Sequence, residues 1–495
     1  MPFKNILLLV ADDLGREQLG CYGCTAISTP NLDRLAASRG ARFDMAFAST
    51  ASCSGSRTTI YTGLHTHENG SYGLVGERNG FQTWAHVETA PKLFNALGYK
   101  TGILGKVHVA PESAYPWETR RESETRNTAL IADQAEEFFQ EARAEERGFF
   151  LTIGYVDPHR VLASRGKFGN EEGNYDQRLN DRVYKPEEVQ VPSFLQDVPA
   201  VREELAEYYR AINRLDQGVG LVLDALERHG LSDDTLVLFL SDNGPPFVNS
   251  KTTLYDAGIH LPFILRVPGL THGQVNPNMV SWTDVLPTFL DWAGHAQLSL
   301  PISSSAVPSP PRHGRSLLPI AHASTVLPGW GQRVFGSHTF HEITNYWPTR
   351  TMRTRRYKYH RNVCWKLDFP FAMDLYASLS FEAMRNADPP MAGRRPLKSY
   401  ICRPPEELYD LDEDPEELRN LAGSGGKEEV LKEMRREVEA WQMETKDLWL
   451  WKDGVAVQRF KEFNYEREGL LIPDRFDMDL DNLAAKGVPC IKLHS

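Results

Sequence analysis

Residues 6–13 read Ile-Leu-Leu-Leu-Val-Ala-Asp-Asp, an unbroken apolar run that ends on two adjacent carboxylates. The run is far shorter than the roughly 20 residues a membrane helix needs. It also lacks the alternation of a half-exposed strand, so it reads as a strand buried on both faces of a parallel-type sheet. Three further runs share the form. Thr101–Leu104 precedes Lys106 and His108, Phe149–Val156 precedes Asp157-Pro158-His159, and Leu236–Leu240 precedes Ser241-Asp242-Asn243-Gly244. Ligands of open α/β sheets bind at the carboxyl ends of the strands, so these polar groups are expected to converge although far apart in sequence.

Between the runs lie helical patterns, for example Leu205, Tyr209, Ile212, Leu215, Val219, Val222 and Leu226 at steps of three and four. Alternating strands and helices predict an α/β domain with a large, mostly parallel central sheet. Composition turns to Pro and Ser over Pro301–Pro311, a surface loop near the end of that domain. We expect a large α/β domain over 1–330 and a smaller α+β domain over 331–495, with a helix from about Glu428 to Glu444. No internal repeat is evident.

A chain of 495 residues with 41% hydrophobic and 24% charged residues is an ordinary globular composition. Its formal net charge of −11 argues against a nucleic-acid partner, and no run is long enough to engage a membrane as a span. Six cysteines make no disulfide framework, and Cys21-Tyr22-Gly23-Cys24 has no second pair to complete a zinc site. The first strand starts within a few residues of Met1, leaving no room for a signal peptide. That favours an intracellular protein, the alternative being a mature secreted or lysosome-like form with the signal removed.

Asp12, Asp13, Asp242 and Asn243 offer oxygen donors of the kind a hard divalent cation takes, and calcium suits them better than zinc. Cys53-Ser54-Gly55-Ser56-Arg57 leads into Thr58–Thr62, which begins a helix. A cysteine at a helix N-terminus, near an arginine and a cation, would be held as thiolate and aimed at an anion. Each feature also has a plainer reading: a capping Asp pair, a buried structural cysteine, satisfied core histidines.

The Cys53–Arg57 segment resembles the type I sulfatase signature, in which a cysteine is followed by any residue, Pro, Ser and Arg and is oxidised to formylglycine. Asp12-Asp13, Gly63-Leu64, Gly105-Lys106-Val107-His108, Asp157-Pro158-His159, Ser241-Asp242-Asn243-Gly244, Lys251, Asp284–Thr288, Gly314–Pro319 and Leu408–Leu411 match the family's pattern in order along nearly the whole chain. Within the family the chain looks most like the branch acting on N-sulfated glucosamine. His67–Leu74, Pro111–Pro116, Asp157–Arg160, Asp216–Leu223, His341–Thr344 and Trp441–Thr445 carry that likeness.

The resemblance implies an alkaline-phosphatase-like sulfatase fold and release of inorganic sulfate from a sulfate ester or N-sulfate. It implies that Asp12, Asp13, Asp242, Asn243 and the side chain at position 53 hold one Ca²⁺. Arg57, Lys106 and Lys251 would supply further positive charge, His108 would act as base and His159 would protonate the leaving group. Arg160, His341 and Glu342 are candidates for the substrate rim, with a structural ion pair as the alternative. The expected partner is a small sulfated molecule, an aryl sulfate or a sulfated sugar, and a homo-oligomer is compatible with all of this. Specificity is expected in loops such as Val161–Tyr184.

Gly55 stands where the family signature has proline, and losing proline's fixed φ predicts weaker recognition by the modifying enzymes. With no signal peptide, the expectation is that Cys53 remains a thiol in much or all of the protein. Two other readings share the pattern: a phosphonate or phosphodiester hydrolase on the same scaffold, and a catalytically silent sulfatase-like binding protein.

Overall fold

The computed structural model describes residues 4–76, 78–162, 164–171, 176–270, 272–300 and 307–450. Outside these fall residues 301–306 of the Pro- and Ser-rich stretch, 163 and 172–175 of the Val161–Tyr184 segment, and 451–495 of the expected second domain.

Strands β1 (Asn5–Ala11), β2 (Gly40–Phe47), β3 (Lys100–Gly105), β4 (Thr119–Glu122), β5 (Phe149–Gly154), β6 (Thr235–Ser241), β7 (Phe263–Arg266) and β8 (Gln274–Ser281) form one sheet in the order β4-β3-β5-β1-β6-β7-β2-β8. The expected α/β fold is present, with helices over a mixed, mostly parallel sheet. β3, β5, β1 and β6 are parallel neighbours, whereas β7 runs antiparallel to both β6 and β2.

β1 explains why its run has no polar residue. Leu7 and Leu9 enter a core shared with the helix Pro199–Arg228, while Ile6, Leu8 and Val10 enter a second core with Leu286 and Phe289. All seven predicted apolar positions of the Pro199–Arg228 helix are buried. Cutting one of its buried leucines to Ala would cost about 2–5 kcal/mol.

A second sheet follows. β9 (Arg333–Phe340), β10 (Tyr346–Thr354) and β11 (Tyr357–Asn362) form an antiparallel meander. After a two-stranded hairpin, β12 (Met391–Ala392) and β13 (Arg395–Pro396), strand β14 (Glu406–Asp410) joins β11. The helix Glu428–Glu444 sets Leu431, Met434, Val438 and Trp441 on Met352, Tyr359 and Leu408 of this sheet. The two sheets are stitched together beside Cys53: Ser337 N–H donates to Ser49 O at 2.7 Å and Leu74 N–H to His341 O at 2.8 Å. No helix among the described residues is long and apolar enough to cross a membrane.

Candidate active site

The parallel ladder extends one step past the strands and so aligns their polar tips. Asp12 N–H donates to Asp157 O at 3.2 Å and Asp242 N–H to Ala11 O at 3.1 Å. Asp13 then turns with φ 65°, a left-handed conformation costly for a residue with a Cβ. Two bonds hold it there: its carbonyl accepts from Tyr208 Oη at 2.6 Å, and its N–H donates to Asp242 Oδ1 at 3.2 Å.

Cys53 opens the helix Cys53–Thr62, every residue of which is buried. The preceding Ser52 is extended, and its hydroxyl bonds His341 Nδ1 at 3.0 Å instead of capping the helix. Ligand atoms of Asp12, Asp13, Cys53 and His159 lie within 4.8 Å of one another. Around them Lys106 Nζ pairs with Asp12 Oδ2, Lys251 Nζ donates to Asp13 Oδ2 at 2.8 Å, and Arg57 Nε donates to Asp242 Oδ2 at 2.8 Å. Asn243 Nδ2 donates to Asp13 Oδ1 at 2.6 Å. Strand tips separated by more than two hundred residues thus share one charged cluster.

That cluster is incomplete as a set of hydrogen bonds. Asp12 Oδ1 and Asn243 Oδ1 are buried acceptors without a donor among the described residues. Buried polar oxygens in folded proteins are nearly always satisfied. Two orphaned oxygens beside crowded carboxylates and a sulfur are what an oxygen-seeking divalent cation would complete, so the residues present fit one.

Charge balance points the same way. Burial alone would raise the Asp12 carboxyl, but Lys106, with His159, Arg57 and Lys251 behind it, holds it well below the ordinary range. Asp13 is pushed up to about 6 by burial against the opposing pull of Lys251, and Asp242 to about 7 by burial and Asp12 despite Arg57. A divalent cation would reverse both shifts. The Cys53 thiol is pushed well above its usual value by burial and then by Asp12, which outweigh Lys106. The thiolate expected from the sequence is therefore disfavoured by these side chains alone and needs the cation. Burial and then Lys251 hold His159 at about 3; burial and then Lys106 push His108 well down. Both imidazoles are neutral.

His159 has a defined tautomer. Nδ1–H faces the Arg160 carbonyl at 2.6 Å, which leaves Nε2 to accept from Lys251 Nζ at 3.0 Å. Its loop is fixed by Asp157, whose carboxylate is gripped by Arg126 Nη1 at 2.5 Å and Arg214 Nε at 2.6 Å. Arg160 pairs with Glu204 at 2.7 Å and lies over the rings of Phe168 and Phe247, and it also lines the cleft above Cys53, its buried Nη1 without a partner among the described residues. His341 and Glu342 make no ion pair with each other among the described residues, and both line the cleft above Cys53, about 430 Å³ in volume.

Sequence reasoning missed Asp374. It lies on the short helix Met373–Tyr376 and brings Oδ2 to 2.8 Å from Lys251 Nζ inside the same cleft. No motif around it announces this. With Asp13, His159 and Asp374 all in contact, the ammonium's three donors are committed.

Gly55 has a local packing reason. A Cβ there would come within 2.9 Å of Thr66 Cγ2 and 3.1 Å of Thr50 Cγ2. The family's proline would require those methyls to move.

Fold and cleft together define an α/β protein whose strand tips gather buried acids and bases into a cluster that fits a divalent cation. Residues 4–295 match the sulfatase family model. The chain is 39% identical over 482 residues to human N-sulphoglucosamine sulphohydrolase, covering 92% of this chain and 93% of that one. It is 27% identical to human arylsulfatase A, covering 87% and 86%. The chain belongs to the sulfatase family and with it to the sulfuric ester hydrolases. Among solved structures, a protein in complex with its substrate D-glucosamine-2-N,6-O-disulfate superposes with TM-score 0.62 at 21% identity, covering 90% of this chain and 98% of that one. The phosphonate monoester hydrolase of Agrobacterium radiobacter reaches the same TM-score at 19% identity, covering 89% and 96%. At such identities the likeness concerns fold alone.

Proposed function

We propose that this sulfatase hydrolyses the N-sulfate of a glucosamine unit, with the side chain at position 53, cysteine or the formylglycine made from it, attacking sulfur. The single observation behind this reading is the convergence of Asp12, Asp13, Asp242 and Asn243 beside Cys53 with Asp12 Oδ1 and Asn243 Oδ1 left without donors. The substrate is taken from the name of the human relative at 39% identity.

In this reading those four residues and position 53 would hold one Ca²⁺, and the ion would supply positive charge to balance that of a sulfate. Arg57 orients Asp242, and Lys106 and Lys251 add charge that needs no reorganisation during reaction. His108, neutral and with Nδ1 unpartnered, accepts a proton. His159 serves the departing nitrogen as a relay: Nε2 takes a proton from the Lys251 ammonium 3.0 Å away and passes it on, leaving Lys251 neutral until it is reprotonated, while Nδ1–H stays on the Arg160 carbonyl. His341 and Glu342 meet the sugar. With an unmodified thiol, turnover proceeds through a cysteine S-sulfate that water cleaves, and it is slower because no second hydroxyl expels the sulfate. We further propose that residues 1–330 form the catalytic domain and 331–495 a domain completing the pocket.

Mass spectrometry of the peptide Ser52–Arg57 distinguishes thiol from aldehyde. Parallel rates on N-sulfoglucosamine, an aryl sulfate and an aryl phosphodiester test the reaction. Sulfate release with N-sulfoglucosamine preferred is expected; preference for the phosphodiester would overturn the proposal.

A further inference from the structure

A second cleft, about 810 Å³, lies between the end of β8 and the second sheet and shares no lining residue with the one above Cys53. Thr283 lines it, and the Thr283 carbonyl lies 3.3 Å from where a Cβ on Gly63 would sit, at the far end of the Cys53–Thr62 helix. Ten helical residues put the two clefts roughly 15 Å apart along that helix.

Although the chain carries a net charge of −11, Arg315, Arg333, Arg355 and Arg356 line this cleft against only Asp284 and Glu444. Two of the four are held by neutral groups. The Arg315 guanidinium lies 4.7 Å over the Trp330 ring. Arg355 donates through Nε to Gln332 Oε1 and through Nη2 to the Pro277 carbonyl, both at 2.7 Å. Gln332 Nε2 in turn donates to the Trp330 carbonyl at 2.9 Å, so one short segment positions both arginines. Neither reaches a carboxylate among the described residues. Asp284 feels the Arg315 charge but makes no ion pair with its guanidinium, its oxygens being taken by the backbone N–H groups of Ser281 at 2.8 Å and Arg315 at 2.9 Å.

Several arginines elsewhere on the surface differ: Arg147, Arg178, Arg202 and Arg210 each hold a carboxylate at 2.5–2.7 Å, although Arg182 is stacked on Tyr184 without one among the described residues. Guanidinium groups held in place without an ion-paired acid keep donors for an incoming anion, here Nη1 of Arg355 and the guanidinium of Arg315 stacked on Trp330. The cleft's volume is that of a ligand pocket, and Ser281, Thr283 and Gln332 add groups that bond hydroxyls.

We propose that this cleft is a second binding site, for a sulfated oligosaccharide, with Arg315 and Arg355 taking its sulfate groups. It would hold a sulfated chain away from the position where a terminal unit is cleaved. The choice of a sulfated sugar rests on the sulfatase reading; the anion site itself does not.

The test uses a fluorescent, size-defined heparin hexasaccharide whose non-reducing end is N-acetylated, so that it is not a substrate. Binding to the full chain is measured at low and physiological salt, beside turnover of N-sulfoglucosamine. Arg315→Gln/Arg355→Gln should weaken hexasaccharide binding at least tenfold and flatten its salt dependence, with kcat/KM on the monosaccharide unchanged. Affinity within twofold of wild type would overturn the proposal. Should the double variant not fold, hydrogen exchange on the wild-type protein decides: slowed exchange over 330–335 and 353–357 with hexasaccharide is expected, and none there refutes the site. Equal binding of polyglutamate of matched charge would refute the assignment to a sulfated sugar. Absence of monosaccharide turnover would count against the proposed reaction and leave the binding result standing.

Discussion

Two buried carboxylate clusters in this molecule are built on opposite plans. Glu407 on β14 is fully enclosed, and each oxygen has a donor: Tyr255 at 2.8 Å and Tyr409 at 2.5 Å on Oε2, Asn362 Nδ2 at 2.7 Å on Oε1. Burial would raise it, but His360, Arg403 and these hydrogen bonds hold it at about 2. The strand-tip cluster is as buried, yet Asp12 Oδ1 and Asn243 Oδ1 lack donors, Asp13 is strained, and two of its three carboxyls are pushed up toward neutrality. A closed cluster stabilises the fold; an open one stores unmet demand for a ligand.

The sharpest break falls at position 53. Cys53→Ala should lower sulfate release on the order of 10⁴–10⁶-fold with the melting temperature nearly unchanged, as judged by ion chromatography of sulfate and a thermal melt. Residual activity near wild type would show that the side chain at position 53 is not the nucleophile.

His159→Ala comes next. A general acid contributes about 10²–10⁴-fold, and its loss matters most for a poor leaving group. The rate on N-sulfoglucosamine should fall by that amount, while a nitrophenyl sulfate, whose leaving group needs no proton, should lose far less. Equal losses on both would show that His159 does not act on the leaving group.

In the closed cluster the effect should appear as stability alone. The folded carboxyl of Glu407 lies below the unfolded value near 4.5, so its stabilisation is full above that pH and is lost as pH falls toward 2. The amount is on the order of 3 kcal/mol. Glu407→Gln should remove this acid-dependent component in urea unfolding series between pH 5 and 2.5, with rates at neutral pH unchanged. A variant whose stability falls with acid as steeply as wild type would contradict the account.

The smallest expected change is at Asp374. Asp374→Asn keeps the shape but weakens the grip on Lys251 and should lower kcat/KM about tenfold, the scale of one charged hydrogen bond. No change would make Asp374 a bystander of the cleft.

Much of the catalytic half was legible in sequence because its strands are buried on both faces. Such strands are pure aliphatic runs, and the abrupt switch to Asp12-Asp13 or Asp242-Asn243 marks where they end. The insertion of antiparallel β7 between β6 and β2 was not legible, since pairing partners leave no local trace. The second sheet was visible only as a compositional change. Its strands bury Arg350, paired with Asp447 at 2.6 Å, and Lys358, paired with Asp256 at 2.8 Å, and these disguise the apolar pattern. Asp374 escaped for a related reason, its partner Lys251 being 123 residues away. The burial and the Asp12 and Asp242 charges that raise the Cys53 thiol were not legible either, since no local pattern tells which acids lie beside it.

Calcium titration of metal-stripped protein by calorimetry tests the central claim most directly. One Ca²⁺ per chain is predicted, bound at least a hundredfold more weakly after Asp12→Asn or Asn243→Ala. No uptake, or affinity unaltered by both substitutions, would contradict a divalent cation at the meeting point of β1 and β6.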